Sequence, residues 1–208
     1  MKLIDGIKQL TGSPANIPDN SREELPEFFK ELGFKTGAEI GVHKGAFTEK
    51  FCKAGFKMFA IDPWKAYSGA GRSQQAQERQ DFLYGHTQRT LAPYKDCTII
   101  RKSSMDALND FKDGSLDFVY LDGDHSFPFI AQDIYYWYKK VRKGGVLAGH
   151  DYFCTDPGAN NVISHVSHVV DAFVKTFQIK SFFTFGHPQS KSNDPRNDKT
   201  LSWMIIKN

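Results

Sequence analysis

Two short segments of the sequence place acidic and imidazole side chains directly after apolar runs. Asp122, Asp124 and His125 follow one apolar run, and His150 and Asp151 follow the next. Carboxylates and imidazoles held close together form either a general acid and base site or a divalent-metal site. Because parallel strands end at a common edge of a sheet, we expect these five side chains to approach one cleft.

A third segment, Glu39-Ile40-Gly41-Val42-His43-Lys44-Gly45, leaves an apolar run and enters an amphipathic stretch. Gly41 and Gly45 allow the backbone to approach a ligand closely, and a helix N-terminus behind them offers free N–H groups. The glycine spacing is neither that of a dinucleotide loop nor that of a P-loop. Glu39 would also repel a phosphate, so the segment favours a cationic or donor-rich ligand over a pyrophosphate.

The elements that must position these residues alternate between short apolar runs and amphipathic segments. This alternation predicts an α/β fold with a doubly wound, mostly parallel, seven-stranded Rossmann-like sheet and an antiparallel C-terminal strand. The predicted strands of the core are 38–42, 57–61, 97–101, 116–121 and 145–148, and the predicted helices are 47–54, 73–91, 105–111 and 130–141.

The two ends of the chain complete a single predicted domain over residues 1–208. Glycine, proline and asparagine at short intervals predict a loose arm over residues 1–20 with one short helical turn. Ser21 and Glu24 resemble a capping box ahead of a helix that ends near Gly33. The predicted domain therefore consists of an arm and helix over 1–33, a cofactor-binding and catalytic core over 37–152, and a helix and strand pair over 160–208, with its tail elements at 162–177, 181–185 and 201–206.

The segment from Glu39 to Gly45 resembles motif I of class I S-adenosylmethionine-dependent methyltransferases, in which an acid precedes two glycines four residues apart. The resemblance implies that Glu39 lies near the amino-acid portion of S-adenosylmethionine. It also implies that Asp62 accepts the ribose hydroxyls, with Trp64 close behind it. The remaining residues that the resemblance assigns to the cofactor are Ser104 and Met105, which line the adenine, and Asp122.

The strings Asp122-Gly123-Asp124-His125 and Gly144 to Asp151 resemble a subset of small-molecule methyltransferases, the methyltransferase 24 type, and the likeness runs from residue 37 to residue 152. In related metal-dependent O-methyltransferases the matching positions bind magnesium, which implies Asp122, His150 and Asp151 as metal ligands. His150 stands where an oxygen ligand is usual, so magnesium, manganese, iron, zinc and no metal all remain open. His125 stands where the subset commonly carries a lysine base, which implies that His125 acts with Asp122 in catalysis.

The resulting hypothesis is O-methylation of a small molecule, such as a sugar, a polyketide or a phenol. A metal-dependent phosphoesterase is a second hypothesis, but it leaves Glu39 and Asp62 without a role. A third hypothesis is a non-catalytic binding module with the same fold. The stretch after Asp62 carries aromatic residues and the flexible Gly69-Ala70-Gly71, and we predict a lid or an acceptor pocket there. Its other prominent residues are Trp64, Tyr67, Arg72, Phe82 and Tyr84.

The composition limits the partners of the chain. A net charge of +3 over 208 residues does not indicate a nucleic-acid partner. Three widely spaced cysteines suit neither a disulfide framework nor a zinc knuckle, and no stretch approaches membrane-spanning length. We therefore expect a cytoplasmic protein with a small-molecule acceptor and no membrane partner, and a homo-oligomer is left open.

Overall fold

The computed structural model describes residues 1–66, 74–154, 164–186 and 200–208, and an eight-stranded sheet lies at its centre. The strands run in the order β1-β7-β8-β6-β5-β2-β3-β4, and only β8 is antiparallel to its neighbours. The strands are β1 Ala15–Ile17, β2 Thr36–Ile40, β3 Lys57–Ile61, β4 Cys97–Ile100, β5 Leu116–Leu121, β6 Val141–Gly149, β7 Phe182–Phe185 and β8 Ser202–Ile206.

Helices cover both faces of this sheet, as a parallel sheet requires. The helices are α1 Leu3–Gln9, α2 Leu25–Glu31, α3 Ala46–Lys53, α4 Gln74–Leu91, α5 Ser104–Ala107, α6 Phe127–Lys140 and α7 Val166–Thr176, with 3-10 turns at Arg22–Glu24 and Leu108–Asp110. Among the described residues, no helix is long and apolar enough to cross a membrane. The mostly parallel α/β fold and its antiparallel C-terminal strand are confirmed.

The strand order reverses between β2 and β5. The chain runs outward through β3 and β4 and then returns to place β5 on the other side of β2. Ligands of open α/β sheets bind at the carboxyl ends of the strands beside such a reversal. The register pairs Ile40 with Ile61 and with Leu121, and Leu121 with Gly149, so the residues that follow these four lie at one level.

Two apolar cores pack against the sheet. On one face, Phe118 of β5 lies at the centre of an aromatic cluster, with ring centroids 4.5 Å from Phe29 and 5.0 Å from Phe51. Gly37 makes room for this ring, because a Cβ on Gly37 would lie 2.1 Å from it. On the other face, α6 and α7 bury Trp137 and a set of aliphatic residues.

The N-terminal segment differs from the prediction of a loose arm. Residues 3–9 form α1, and residues 15–17 form an eighth strand that pairs in parallel with β7, so the prediction of seven strands was wrong. The physical reason is burial: Leu3 and Ile17 are inaccessible to solvent, and Gly6 lies so close to Ile17 that a Cβ there would clash. Burial of these apolar side chains stabilises a helix and a strand here, although the composition of the segment favours turns.

Candidate active site

The turn after β2 brings two strand ends into direct contact. Gly41 has a φ of +90°, and a Cβ on it would lie 2.3 Å from the carbonyl oxygen of Asp122. Only glycine fits this approach, which joins the end of β2 to the end of β5. Gly45 has a φ of +80° at the start of α3, and its Cβ position lies 3.2 Å from Thr87 on α4. Gly41 therefore lies on the wall of a cavity at these strand ends. Gly45 allows the start of α3 to pack closely against α4.

Asp62 directly follows β3 and faces the same cavity. Its Oδ2 accepts a hydrogen bond from the backbone N–H of His43 at 3.0 Å, and its Oδ1 accepts one from that of Trp64 at 2.8 Å. Burial raises the pKa of Asp62 above its ordinary value, and these N–H donors oppose the rise. The carboxylate is thus fixed in place by backbone groups while it remains at the cavity wall.

Trp64 and Glu39 do not line the cavity, although the sequence predicts both as cofactor residues. The Trp64 ring is fully buried, donates its indole N–H to the carbonyl of His43 at 2.8 Å, and packs against Tyr84. The Glu39 side chain is buried beneath the turn, where it accepts a hydrogen bond from the hydroxyl of Thr48 on α3. Burial raises the pKa of Glu39 to about 8, which keeps this carboxyl mostly protonated at neutral pH.

The cavity has a volume of about 450 Å³ and opens at the carboxyl ends of β2, β3 and β5. Gly41, Ser104 and Met105, which the sequence predicts as cofactor residues, line it together with Asp62 and Asp122. Other residues of the wall are apolar, acidic or basic, and they include Ile40, Ile61, Phe129, Asp124, Asp133 and Lys65. Four carboxylates therefore face one space that also has apolar walls.

One of these carboxylates, Asp133, lies on α6 and is held by a chain of hydrogen bonds. The indole N–H of Trp137 donates to the hydroxyl of Ser104 at 2.7 Å, and that hydroxyl donates to Oδ1 of Asp133. Asp133 is 6% exposed, and burial raises its pKa to about 6. Asp133 was not among the site residues predicted from the sequence.

Beside the cavity, Asp122, His125 and Asp151 form a cluster whose ligand atoms all lie within 4.8 Å of one another. Nδ1 of His125 lies 3.3 Å from Oδ2 of Asp151, and its Nε2 lies 3.7 Å from Oδ1 of Asp122. His150, the third predicted metal ligand, is not among the three residues of this cluster. Its Nδ1 lies 3.4 Å from the other oxygen of Asp151, and its Nε2 lies 3.4 Å from the hydroxyl of Thr200.

The cluster changes the proton affinities of its members. Burial alone would lower the pKa of His125, but the two adjacent carboxylates more than offset it and raise the pKa above the ordinary 6.5. Burial alone would raise the pKa of Asp151, but contacts with His150, Thr200 and His125 lower it to about 2. The imidazole therefore lies between two acidic side chains, which strengthens it as a proton acceptor.

An arginine from the N-terminal segment completes the site. Nη1 of Arg22 lies 3.1 Å from Oδ2 of Asp122, and its guanidinium lies 5.2 Å from the ring centroid of Phe47. Arg22 was not predicted from the sequence, because the pattern at Ser21 and Glu24 indicates only a helix start. Ser21 does cap that start, by accepting a hydrogen bond from the backbone N–H of Glu23 at 3.1 Å.

A signal for Asp133 was present in the sequence. Ile130, Ile134 and Trp137 are buried on one face of α6 at helical spacing, and Asp133 lies on the same face. A carboxylate in the middle of an apolar helical stripe is rarely left there without a partner or a ligand. No comparable signal exists for Arg22, because its contact with Asp122 joins residues 100 positions apart.

Of the predicted lid, Tyr67, Gly69-Ala70-Gly71 and Arg72 lie outside the described residues. Of its described aromatic residues, Tyr84 packs on the buried Trp64, and Phe82 is 65% exposed. The three cysteines are free thiols, of which Cys52 is buried and Cys97 and Cys154 are half-buried.

Comparison with known proteins gives one family match. A family model described as a methyltransferase domain matches residues 38–152, which is more than half of the chain. This range contains the turn after β2 and the ends of β3, β5 and β6. Among curated proteins, the uncharacterized protein y4gI of Sinorhizobium fredii is 28% identical over 119 residues, which amount to 54% of this chain and 12% of that protein. The chain thus corresponds to only a small part of that relative's length.

Solved structures share the fold at low sequence identity. An O-methyltransferase from Bacillus cereus, in complex with S-adenosylhomocysteine, has a TM-score of 0.61 and 15% identity, covering 91% of this chain and 83% of its own. The O-methyltransferase TomG from Streptomyces achromogenes, in complex with S-adenosylmethionine, has a TM-score of 0.62 and 14% identity, covering 89% of this chain and 79% of its own.

Proposed function

The chain belongs to the methyltransferase 24 type of class I S-adenosylmethionine-dependent methyltransferases, and we propose that it transfers a methyl group from S-adenosylmethionine to a hydroxyl of a small molecule. The two similar structures, which carry that cofactor or its demethylated product and are described as O-methyltransferases, support this proposal. The small-molecule acceptor and the methylated oxygen are parts of the proposal.

The observation that carries the proposal is the character of the cavity. It lies at the point where the strand order reverses, and it is lined by Gly41 and by the carboxylates of Asp62, Asp122, Asp124 and Asp133. Four carboxylates outnumber the lysine in the lining, Lys65, so the wall favours a sulfonium cation over a diphosphate. Apolar residues on the same wall provide a surface for a nucleobase.

The predicted cofactor residues form two groups in this proposal, those that contact the cofactor and those that support the turn from behind. Asp62 accepts the ribose hydroxyls, Gly41 allows the cofactor to lie across the turn, and Ser104 and Met105 flank the adenine. Three others support the turn from behind. Glu39 accepts a hydrogen bond from Thr48, Gly45 packs against α4, and Trp64 donates to the carbonyl of His43.

The reaction follows from the position of His125. The acceptor oxygen attacks the methyl carbon, the carbon–sulfur bond breaks with its electron pair going to sulfur, and S-adenosylhomocysteine leaves. His125 takes the hydroxyl proton, and the carboxylates of Asp122 and Asp151 stabilise the imidazolium that forms. Most of the rate comes from holding the oxygen and the methyl group in line.

The cluster next to the cavity also has the donor set for a divalent cation. Two carboxylates and an imidazole suit manganese, iron or zinc better than magnesium. Asp122 and Asp151 would hold such an ion, with His125 in this arrangement as the third ligand, in place of the predicted His150. A bound cation would lower the proton affinity of the acceptor hydroxyl. His125 cannot be both a ligand and the base, and metal dependence of the activity distinguishes the two roles.

The alternative function, a metal-dependent phosphoesterase, has less support than methyl transfer. A two-metal hydrolase needs two adjacent cation sites, and within the described ranges a single three-residue cluster of this kind occurs. The match to a methyltransferase family model also opposes this alternative.

Titration with S-adenosylhomocysteine by calorimetry tests the proposed cofactor. We expect binding in the micromolar range or tighter, and we expect Asp62→Ala to weaken it by about tenfold or more, since one charged partner of the ribose is lost. Asp110→Ala, which removes an exposed carboxylate outside the cavity, is the matched control. Absence of binding to the unmodified chain at millimolar ligand would contradict the proposal.

A further inference from the structure

The two residues just before α7 contact both loops of the three-residue cluster, the loop after β5 and the loop after β6. On one side, the backbone N–H of His165 donates to the carbonyl of His125 at 2.9 Å. On the other side, the hydroxyl of Ser164 donates to the carbonyl of Phe153 at 3.0 Å. Consecutive Cα atoms lie about 3.8 Å apart across a trans peptide, so one short and rigid piece of chain connects the two loops.

The imidazole of His165 adds a second contact to the loop after β5. The backbone N–H of Phe127, the first residue of α6, donates to its Nδ1 at 3.0 Å. Because a backbone N–H can only donate, Nδ1 of His165 carries no proton and acts as an acceptor. The first N–H groups of a helix lack partners within the helix, and the hydroxyl of the preceding Ser126 donates to Asp124 instead of capping α6. The ring of His165 therefore fixes the backbone two residues beyond His125.

The two loops meet at the contact between His125 and Asp151. Nδ1 of this imidazole lies 3.3 Å from Oδ2 of Asp151. Asp151 has a φ of +52°, a left-handed conformation that its neighbours must hold in place. The hydroxyl of Thr200 donates to Oδ1 of Asp151 at 2.7 Å, and the hydroxyl of Ser164 lies 3.5 Å from its carbonyl oxygen. Residues 164 and 165 thus support both sides of the contact between the loops.

We propose that His165 is a positioning residue for methyl transfer, which holds the loop of His125 so that this imidazole stays in contact with Asp151. The inference rests on the proposed function, because it assumes that His125 serves the reaction as the base or as a metal ligand. Both roles need the same placement, since a misplacement of about 1 Å can lower a rate by about 100-fold. A shift of the loop after β5 would move the imidazole away from Asp151, which lies on the other loop.

A purely structural role of His165 would have a different consequence. If the ring only capped α6, its removal would lower the melting temperature and leave the turnover of the folded chain unchanged. His165→Ala removes the ring acceptor and keeps the backbone N–H. His165→Asn keeps an acceptor, because the side-chain oxygen of asparagine occupies the position of Nδ1. His168→Ala, at an exposed position of α7, is the matched control.

Imidazole nitrogen–proton correlation spectra test the placement of His125 directly, and His125→Ala identifies its signals. We expect His165→Ala to shift and broaden these signals, because the loop after β5 loses one of its two contacts with residue 165. His165→Asn and His168→Ala should leave them in place. Unchanged His125 signals in His165→Ala would overturn the inference, whether or not an acceptor has been found.

Transfer of labelled methyl to a hydroxylated acceptor tests the consequence for the reaction. We expect His165→Ala to lower kcat by about tenfold or more, with the affinity for S-adenosylhomocysteine nearly unchanged, and His165→Asn to recover most of the loss. A normal kcat in His165→Ala, or a loss that His165→Asn does not recover, would overturn the inference and leave the proposed function intact. If the unmodified chain binds no S-adenosylhomocysteine, the proposed function fails and the role in methyl transfer fails with it, whereas the spectra still decide whether His165 holds His125.

Discussion

At the residue scale, Glu39 and Asp62 show how two acids of one motif can reach different environments. Asp62 remains at the cavity wall, held by two backbone N–H groups, and Glu39 is buried behind the turn against Thr48. Sequence spacing predicted that both residues would lie at the ends of neighbouring strands. It could not predict the orientation of Glu39, because the partner on α3 that receives the side chain becomes visible only in three dimensions.

The protonation of Glu39 makes a testable contribution to stability. The folded chain holds this proton up to about pH 8, whereas an unfolded chain releases it near the ordinary value of 4.5. The contribution of Glu39 to stability is therefore greatest below 4.5 and falls as the pH rises towards 8. In Glu39→Gln, we expect the free energy of unfolding relative to the unmodified chain to rise by about 1.4 kcal/mol per pH unit at most across this range.

Urea unfolding at several pH values measures this difference, and Glu49→Gln provides the control. A hydrogen bond with Lys53 lowers the pKa of Glu49 below the ordinary value of 4.5, so this residue is mostly ionised in both states well above that value. Its variant should give a difference that stays flat from pH 5 to pH 8. A flat difference for Glu39→Gln as well would show that Glu39 is already ionised in the folded chain.

The role of His125 as a base predicts a defect in turnover. We expect His125→Ala to lower kcat by about 100-fold or more and to leave the affinity for S-adenosylhomocysteine nearly unchanged. Transfer of labelled methyl to a hydroxylated acceptor that the unmodified chain accepts measures kcat. His168→Ala, at an exposed position of α7 outside the cavity and the cluster, should behave like the unmodified chain. A His125→Ala variant with normal kcat would exclude His125 as the base.

At the element scale, the turn between β2 and α3 decides whether the strand ends can meet. Its two glycines were predicted from their spacing, and both have a positive φ. Glycine is required at position 41 because its backbone contacts the backbone after β5, a strand that lies about 80 residues further along the chain. The sequence predicted the need for glycine but not the backbone that it faces.

Substitution of Gly41 tests this contact against a matched glycine. Gly41→Ala should abolish detectable binding of S-adenosylhomocysteine and lower the melting temperature, because its Cβ would lie 2.3 Å from a backbone oxygen. Gly55→Ala has nearly the same φ, +88°, with nothing within 4 Å of the new Cβ. That variant should lose about 1–2 kcal/mol through backbone strain alone and keep its affinity. Equal effects of the two substitutions would show that the close contact at Gly41 is unimportant.

Most elements of the core were predictable because their apolar patterns are local. The strands at 57–61 and 116–121 were predicted with the bounds that the structure gives, and the other core elements differ mainly at their ends. Helix ends depend on caps and contacts that a pattern shows poorly. For example, α6 begins at Phe127 rather than near Ile130, and the large rings of Phe127 and Phe129 remain exposed.

At the scale of the whole molecule, the N-terminal segment joins one edge of the sheet to the candidate active site. It adds β1 beside β7 and then crosses to place Arg22 on Asp122. The composition of residues 1–20 favours turns, so it did not predict this role. The burial of Leu3 and Ile17 depends on elements far along the chain. The local pattern therefore predicted the strands and helices of the central part of the chain, and it missed the N-terminal strand and the contact of Arg22 with Asp122.

A double-mutant cycle measures the link between Arg22 and Asp122. We expect Arg22→Gln and Asp122→Asn to show a coupling of about 1 kcal/mol in the free energy of unfolding, because both side chains are about three-quarters buried. The more exposed pair Lys102 and Asp110 is the control, and its coupling should be smaller. A coupling near zero for Arg22 and Asp122 would mean that the ion pair does not hold the N-terminal segment to the site.

The central claim is that the cavity at the reversal of strand order holds the adenosine of S-adenosylmethionine. A crystal structure grown with S-adenosylhomocysteine tests it most directly. We expect the ribose hydroxyls on the carboxylate of Asp62, the adenine between Ser104 and Met105, and the sulfur near Asp122. A ligand bound elsewhere on the molecule, or an empty cavity in crystals saturated with the compound, would contradict it.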